Sequence, residues 1–230
     1  MENLRLAAAQ GSARAQNNLG IMYANGRGVV QDYAEAMKWY KLAAAQGAAP
    51  AQYNLALMYD KGRGVVQDYD DAVKWYKLAA LQGYVAAQRK LGAMYYGGHG
   101  VAQDYAEAVN WCKLAAAQGD AFAQICLGVM YTDGQGVTQD YAKAVKWHEW
   151  AAAQGDALAQ YYLGIMHANG QGVVRNYVRA HMWYYMAAVQ GNKDAEKKRA
   201  TVAAKMTAQQ IAEAQNMARE RQARNYKNCV

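Results

Sequence analysis

Several residue types are scarce in this chain of 230 residues, and each scarcity excludes a class of protein. There is one Pro, one Phe and three Cys, and no apolar run approaches the about 20 residues that cross a bilayer. Cys112, Cys126 and Cys229 follow no paired spacing, so neither a zinc site nor a disulfide framework is indicated. Abundant Ala, Leu, Met, Gln and Lys favour helices instead. We therefore expect an all-α protein without a transmembrane segment.

The positive charge of the chain is concentrated at one end. The formal net charge is +7, and from Asn192 onward nine Lys or Arg stand against four Asp or Glu. The preceding residues are nearly neutral, so no basic stripe follows the fold, and we do not expect nucleic acid as a partner. If that expectation were wrong, the contacts would come from the C-terminal cations Lys197, Lys198, Arg199, Arg219, Arg221 and Arg224.

Internal repetition is the main feature of the sequence. The glycine of an Ala-x-Gln-Gly motif recurs every 36 residues, at Gly11, Gly47, Gly83, Gly119, Gly155 and Gly191. Each unit also carries Ala-Gln, then Leu-Gly (once Leu-Ala), Met, Gly-x-Gly, Tyr, Ala and Trp at fixed positions. We call the residues at one position of successive units a column. Repeats of this length indicate one supersecondary unit that is stacked several times.

Each unit is predicted to form two helices. In the first complete unit, Ala15, Leu19 and Met22 share one face of a helix A over about residues 12–24. The Gly26-x-Gly28 pair ends it, because glycine tolerates the positive φ of helix C-termini. Asp32 can cap a helix B over about residues 32–46. One such pair buries too little to fold alone, so stacking must supply the core.

Both ends of the chain depart from the repeat. Residues 1–11 match the end of a helix B, which predicts a truncated protein whose preceding helix A is missing. Residues 12–191 then contain five repeats. Residues 192–230 are predicted to form a helical C-terminal cap and a short tail, with Thr207 and Gln210 as a capping box for the last helix.

The unit Ala-x-Ala-Gln-x-x-Leu-Gly-x-Met-Tyr, Gly-x-Gly-Val, Asp-Tyr, Ala-x-x-Trp, Ala-Ala-x-Gln-Gly resembles the Sel1-like repeat, a relative of the tetratricopeptide repeat. The resemblance covers residues 1 to about 191 and is to bacterial members. It implies a right-handed α-solenoid that acts as an adaptor or scaffold. Because bacterial members are often exported, it also implies a periplasmic or secreted location.

Four columns on helix A vary between repeats and are spaced by three, four and three residues, which places them on one stripe opposite the packing face. We call this the helix A stripe. By resemblance to tetratricopeptide proteins, it corresponds to the concave surface that binds peptides. Aromatic, aliphatic and Arg side chains suit an interface core. The predicted partner-binding residues are Tyr53, Arg89, Tyr96, Phe122, Ile125, Tyr161 and, at its edge, Tyr162.

No arrangement of residues typical of catalysis is evident. His148, His167 and His181 occupy columns that hold aromatic or apolar residues in other repeats, and His99 lies in a turn, so we interpret all four as structural. Gly-x-Gly follows a helix rather than a strand, so it is interpreted as a turn and not a phosphate loop. Cys112 and Cys126 are equally spaced about Gly119, which leaves a disulfide or two packed thiols open. We predict no catalytic, metal or cofactor site.

The leading hypothesis for function is a monomeric scaffold that binds a protein or peptide through the helix A stripe. One alternative is an exported cell-envelope regulator or a protein that binds a host factor. A second is an enzyme acting on cell-wall material, and a third is a nucleic-acid binder. The sequence does not identify the partner.

Overall fold

The computed structural model describes the backbone of residues 2–227 and the side chains of residues 2–223, so Cys229 and the side chain of Arg224 lie outside the described residues. Within this range there are thirteen α-helices and no strand, which confirms the all-α prediction. The helices are α1 (Glu2–Ala9), α2 (Ala13–Asn25), α3 (Tyr33–Ala45), α4 (Ala49–Lys61), α5 (Tyr69–Leu81), α6 (Val85–Gly97), α7 (Tyr105–Ala117), α8 (Ala121–Asp133), α9 (Tyr141–Ala153), α10 (Ala157–Asn169), α11 (Tyr177–Val189), α12 (Lys193–Ala203) and α13 (Ala208–Lys227).

The two helices of each repeat begin and end close to where the sequence predicts. Asp32 accepts hydrogen bonds from the backbone N–H groups of Ala34 and Glu35, which fixes the start of α3. Gly26 has a φ of +66° and ends α2, so the Gly-x-Gly segment is a helix-terminating turn as predicted. Pro50 lies in the first turn of α4, where its missing N–H removes no helical hydrogen bond.

The chain divides into two compact units, residues 1–118 and 119–230. Unit 1 contains α1–α7 and unit 2 contains α8–α13. Within each unit, helices A and B alternate and each packs against its neighbours in sequence, so each unit is a stretch of α-solenoid. The handedness of the solenoid stays a prediction, as do the expected domain limits.

Small residues allow helix A to approach helix B closely. A Cβ atom on Gly20 would lie 2.6 Å from the ring of Tyr40, and one on Gly164 would lie 2.5 Å from the ring of Tyr184. The same column faces Cys112 in the third repeat, where that buried thiol lies against Gly92. Contact between a ring and a bare backbone therefore sets the spacing of most helix pairs.

A pair of glutamines links the two helices of every repeat. The Gln of the Ala-Gln motif is buried and accepts a hydrogen bond from the Gln that ends helix B, as Gln88 does from Gln118 at 2.9 Å. Gln88 also donates to the carbonyl of Ala80 on the preceding helix B, at 3.1 Å. The pairs are Gln16–Gln46, Gln52–Gln82, Gln88–Gln118, Gln124–Gln154 and Gln160–Gln190. These bonds explain why both glutamines recur.

The C-terminal helices cover the last repeat. α12 follows α11 in the position of a helix A, and α13 packs back onto α11. The capping box of α13 is confirmed, since the backbone N–H of Thr207 donates to Gln210 and that of Gln210 donates to the Thr207 hydroxyl. No helix in the described part of the chain has the length and apolar character needed to cross a bilayer.

Candidate functional site

In unit 1 the helix A stripe brings Tyr53 and Arg89 together from adjacent repeats. Tyr53 is half-buried, with its ring centroid 5.6 Å from that of Tyr76 and 5.2 Å from that of Tyr84. Burial raises the pKa of Tyr53, while the charge and a hydrogen bond of the Arg89 guanidinium oppose that rise. The two residues therefore act as one amphipathic contact that is partly accessible from solvent.

Tyr96 lies on the same stripe near the C-terminal end of α6. Its ring makes an edge-to-face contact with Tyr105, at a centroid distance of 5.3 Å. The contact fixes one edge of the ring and leaves the side chain 37% exposed. Tyr96 is thus an aromatic side chain that is held in place and still accessible.

A cluster of charged residues that the sequence analysis did not single out lies beside this surface. Asp60 is only 8% exposed, and its Oδ2 is 3.3 Å from Nζ of Lys90 and 3.6 Å from Nζ of Lys61. The hydroxyl of Tyr76 approaches the same oxygen at 3.5 Å. Two ammonium groups thus compensate a carboxylate that would be costly to bury alone.

The charged cluster opens onto a small cavity. The cavity has a volume of about 240 Å³, and Tyr69, Ala93, Met94 and His99 also line it. Asp60 belongs to a variable column of the stripe, which could have signalled a role, whereas Lys90 lies outside the four columns. His99 was interpreted as a lone turn residue, and its place in this wall depends on tertiary packing.

In unit 2 the stripe is mostly apolar. Phe122 is 49% exposed, and Leu158, in the same column of the next repeat, is 41% exposed. Tyr161 lies 5.8 Å from Tyr162 between ring centroids, and Tyr162 stacks on buried His148 at 4.8 Å. Phe122 and Leu158 are therefore the accessible apolar side chains, while Tyr161 and Tyr162 are half-buried. Leu158 was part of the stripe but was not among the predicted contact residues.

The expectation that Ile125 contacts a partner is corrected by the structure. Ile125 is 4% exposed and lies in a buried cluster with residues such as Val145 and Leu163. Its column also contains Tyr53 and Tyr161, whose rings and hydroxyls extend beyond the packing contact. The shorter Ile side chain ends inside it, so side-chain length decides which members of this column reach solvent.

Three of the four histidines are buried, in agreement with their structural interpretation. Burial lowers the pKa of His148 and His167 to about 4, and the charge of Arg179 contributes at His167. Burial and the nearby Arg199 lower the pKa of His181. The Nδ1 atom of each ring is buried without a hydrogen-bond partner. These rings are therefore neutral near pH 7.

The described residues contain no group of three His, Cys, Asp or Glu side chains placed to hold a metal ion. Of the C-terminal cations, Arg221 lies over the ring of Trp183 at 4.3 Å and Arg199 over that of Tyr185 at 5.5 Å. Lys198 and Arg219 are exposed. Two of the C-terminal arginines therefore pack against aromatic rings of the last repeat.

Comparison with known proteins agrees with this architecture. The Sel1 repeat family model matches five segments, residues 13–47, 49–84, 85–120, 121–156 and 157–192. The chain is similar to the crystal structure of c5321, a protective antigen present in uropathogenic Escherichia coli strains, with 38% identity and a TM-score of 0.87. That match covers 96% of this chain and 48% of the E. coli chain, so this chain spans about half the length of that relative.

Two further structures are similar to the chain. A Sel1 repeat protein from Oxalobacter formigenes is 39% identical with a TM-score of 0.79, over 82% of this chain and 78% of that one. The immunity protein Pa5087 from Pseudomonas aeruginosa shares the fold alone. It is 20% identical with a TM-score of 0.50, over 82% of this chain and 72% of that one. No curated protein gave a significant match.

Proposed function

Because the chain belongs to the Sel1 repeat family, whose repeats mediate protein–protein interaction, we propose that it is a scaffold that binds a peptide or protein through its helix A stripe. The observation that carries the proposal is the exposure of Tyr96, Phe122 and Leu158 at variable positions of helix A. Family members are typically non-catalytic scaffolds, and we propose the same for this chain.

The two units offer different chemistry to a partner. In unit 1, Tyr53, Arg89 and Tyr96 lie on the stripe beside the Asp60–Lys90 pair, which favours a peptide of mixed polar and aromatic character. In unit 2, Phe122 and Leu158 favour an apolar segment. Arg and aromatic residues are the types that contribute most to binding energy at interfaces. We therefore propose these two patches as the sites of recognition.

A capture experiment tests this proposal. The parent chain and the variant Tyr96→Ala/Phe122→Ala/Leu158→Ala are used as baits with lysate and envelope fractions of the native cell. These three side chains are accessible, so their loss is expected to weaken partner binding about tenfold or more while circular dichroism stays unchanged. Tyr53 and Tyr161 are less suitable, because both contact buried tyrosines and their loss would also affect stability.

The matched control replaces apolar side chains that are more exposed but lie in the turns, Val30→Ala/Val66→Ala/Val174→Ala. A partner retained by this control and lost by the stripe variant supports the proposal. A partner retained by the stripe variant contradicts the assignment of the site.

We also propose that the protein is exported. The support for this proposal is that its E. coli relative, 38% identical, is a protective antigen present in uropathogenic strains. Fractionation of the native cells with an antibody against this chain tests the location. Detection in the periplasm, on the cell surface or in the medium supports export, and detection in the cytoplasmic fraction alone contradicts it.

A further inference from the structure

The exposed face of helix B carries an apolar residue in every repeat, and in one repeat a helix of the chain covers it. The column comprises Leu6, Leu42, Leu78, Leu114, Trp150 and Met186. The first five are between 46% and 58% exposed, whereas Met186 is 3% exposed because α13 packs on α11. The neighbouring Trp column behaves likewise, since Trp183 is buried and Trp39, Trp75, Trp111 and Trp147 are half-buried.

The packing of α13 on α11 shows what this face accepts. Ala214 and Ala218, one turn apart on α13, are fully buried in a cluster with Trp183 and Met186. Arg221 follows on the same side of α13 and lies over the ring of Trp183. Glu149 of α9 lines the same small cavity as Arg221. The face therefore accepts an amphipathic helix whose small residues cover the apolar column and whose Arg221 shares a cavity with Glu149 of α9 and Arg179 of α11.

Among the described residues no helix covers the corresponding face of unit 1, and a cation stands there in place of Glu149. Trp75 packs against the α3 cluster around Met37, so the face of α5 continues onto α3. Leu78 is exposed beside Trp75, in the column of Met186. The position of Glu149 is held in unit 1 by the cations Arg5, Lys41, Lys77 and Lys113.

Two lysines of this face are paired with carboxylates of their own helices. Lys74 and Lys38 are paired with Asp71 and Glu35 one turn earlier on their own helices. Those carboxylates are therefore already engaged. The column of Lys41 adds further cations, of which Lys77 lies over the ring of Tyr95, and Asp70 is the remaining carboxylate of α5. A helix such as α13 fits this face less well than that of α11, because its Arg221 would approach Lys41 instead of Glu149.

We propose that the helix B face of unit 1 binds an acidic amphipathic helix of a partner protein. The partner helix places small or Met side chains, one turn apart, on Trp75 and Leu78. An Asp or Glu where α13 has Arg221 then lies beside Lys41. In this mode of binding, an apolar groove receives a helix and the charge of the groove selects the partner. The surface is separate from the helix A stripe.

Two fluorescent peptides test the proposal with the full chain. Both span residues 207–223 and are held helical by a staple on the exposed side; one has the natural sequence and the other carries Arg219→Glu and Arg221→Glu. The acidic peptide is expected to bind at least about tenfold more tightly by fluorescence anisotropy. The chain variant Lys41→Glu/Lys77→Glu is expected to reverse that preference. Leu78→Glu is expected to abolish binding of the acidic peptide.

Two measurements separate this surface from other sites. The variant Tyr96→Ala/Phe122→Ala/Leu158→Ala is expected to bind the acidic peptide unchanged. A photo-reactive group in place of Met217 of that peptide is expected to cross-link to residues 38–42 or 74–78. Equal binding of the two peptides, indifference to Lys41→Glu/Lys77→Glu, cross-links on α11 or on helices A, or no binding by the acidic peptide would each overturn the proposal.

Discussion

At the scale of single residues, the recurring buried glutamines connect neighbouring helices by hydrogen bonds. Gln88 accepts from Gln118 and donates to Ala80, so one amide ties helix A to its own helix B and to the preceding one. A buried amide that lost these bonds would carry an uncompensated desolvation cost. The motif is therefore part of the interface between helices and not a ligand site.

Replacement of Gln88 by Leu is expected to lower the free energy of unfolding by about 1–3 kcal/mol, because Gln118 and Ala80 lose a partner. Urea denaturation followed by circular dichroism measures the change. Gln215→Leu on the exposed side of α13 is the matched control and is expected to change stability by less than about 0.5 kcal/mol. Equal effects of the two substitutions would contradict the role of the pair.

At the scale of elements, α13 differs from every other helix. It neither begins a new repeat nor pairs with α12, but lies on α11 and buries apolar side chains that other repeats leave partly exposed. The face of α11 is also more apolar than that of other helices B, because Met182 stands where they have Lys or Asn, and α13 removes this apolar surface from solvent.

A chain that ends at Met206, and so lacks α13, is expected to expose Met182, Trp183 and Met186. Each large apolar side chain contributes about 1.5–3 kcal/mol when buried, so unfolding should become easier by several kcal/mol. Thermal denaturation and light scattering measure the loss of stability and any self-association. A chain that ends at residue 223 retains Ala214, Ala218 and Arg221 and serves as the control. Equal melting temperatures would show that α13 does not stabilise unit 2.

At the scale of the whole molecule, the buried histidines make stability depend on pH. Their folded-state pKa values are lowered from 6.5, so below about pH 6.5 the unfolded chain binds protons that the folded chain does not. Stability is therefore fully present above pH 6.5 and falls as the pH decreases toward 4. Described buried histidines occur in unit 2 alone, at positions that hold Tyr, Cys, Met or Val in unit 1.

The variant His148→Tyr is expected to flatten this dependence. Tyr40 and Tyr184 hold the equivalent position against Gly20 and Gly164, so a Tyr ring fits the site. One histidine accounts for up to about 1.4 kcal/mol per pH unit between pH 6.5 and 4. Urea denaturation at several pH values measures the slope for both proteins. Parallel curves for the two would contradict the contribution of His148.

The repeat, the limits of its helices and the caps at their ends are all legible from residue order alone. These features depend on residues a few positions apart, such as Asp32 with the N–H groups of Ala34 and Glu35, and local spacing is visible in a sequence. The exposed aromatic residues Tyr96 and Phe122 were predicted for the same reason, because helical periodicity identifies a face.

Which members of that face reach solvent depends on packing between helices. Ile125 is buried while Tyr161 in its column is not, because the depth of the neighbouring contact and the length of the side chain together set exposure. Asp60 and Lys90 are 30 residues apart in the chain and join adjacent repeats, and α13 turns back onto α11. Such contacts depend on packing between helices distant in the chain, which periodicity within one helix does not encode.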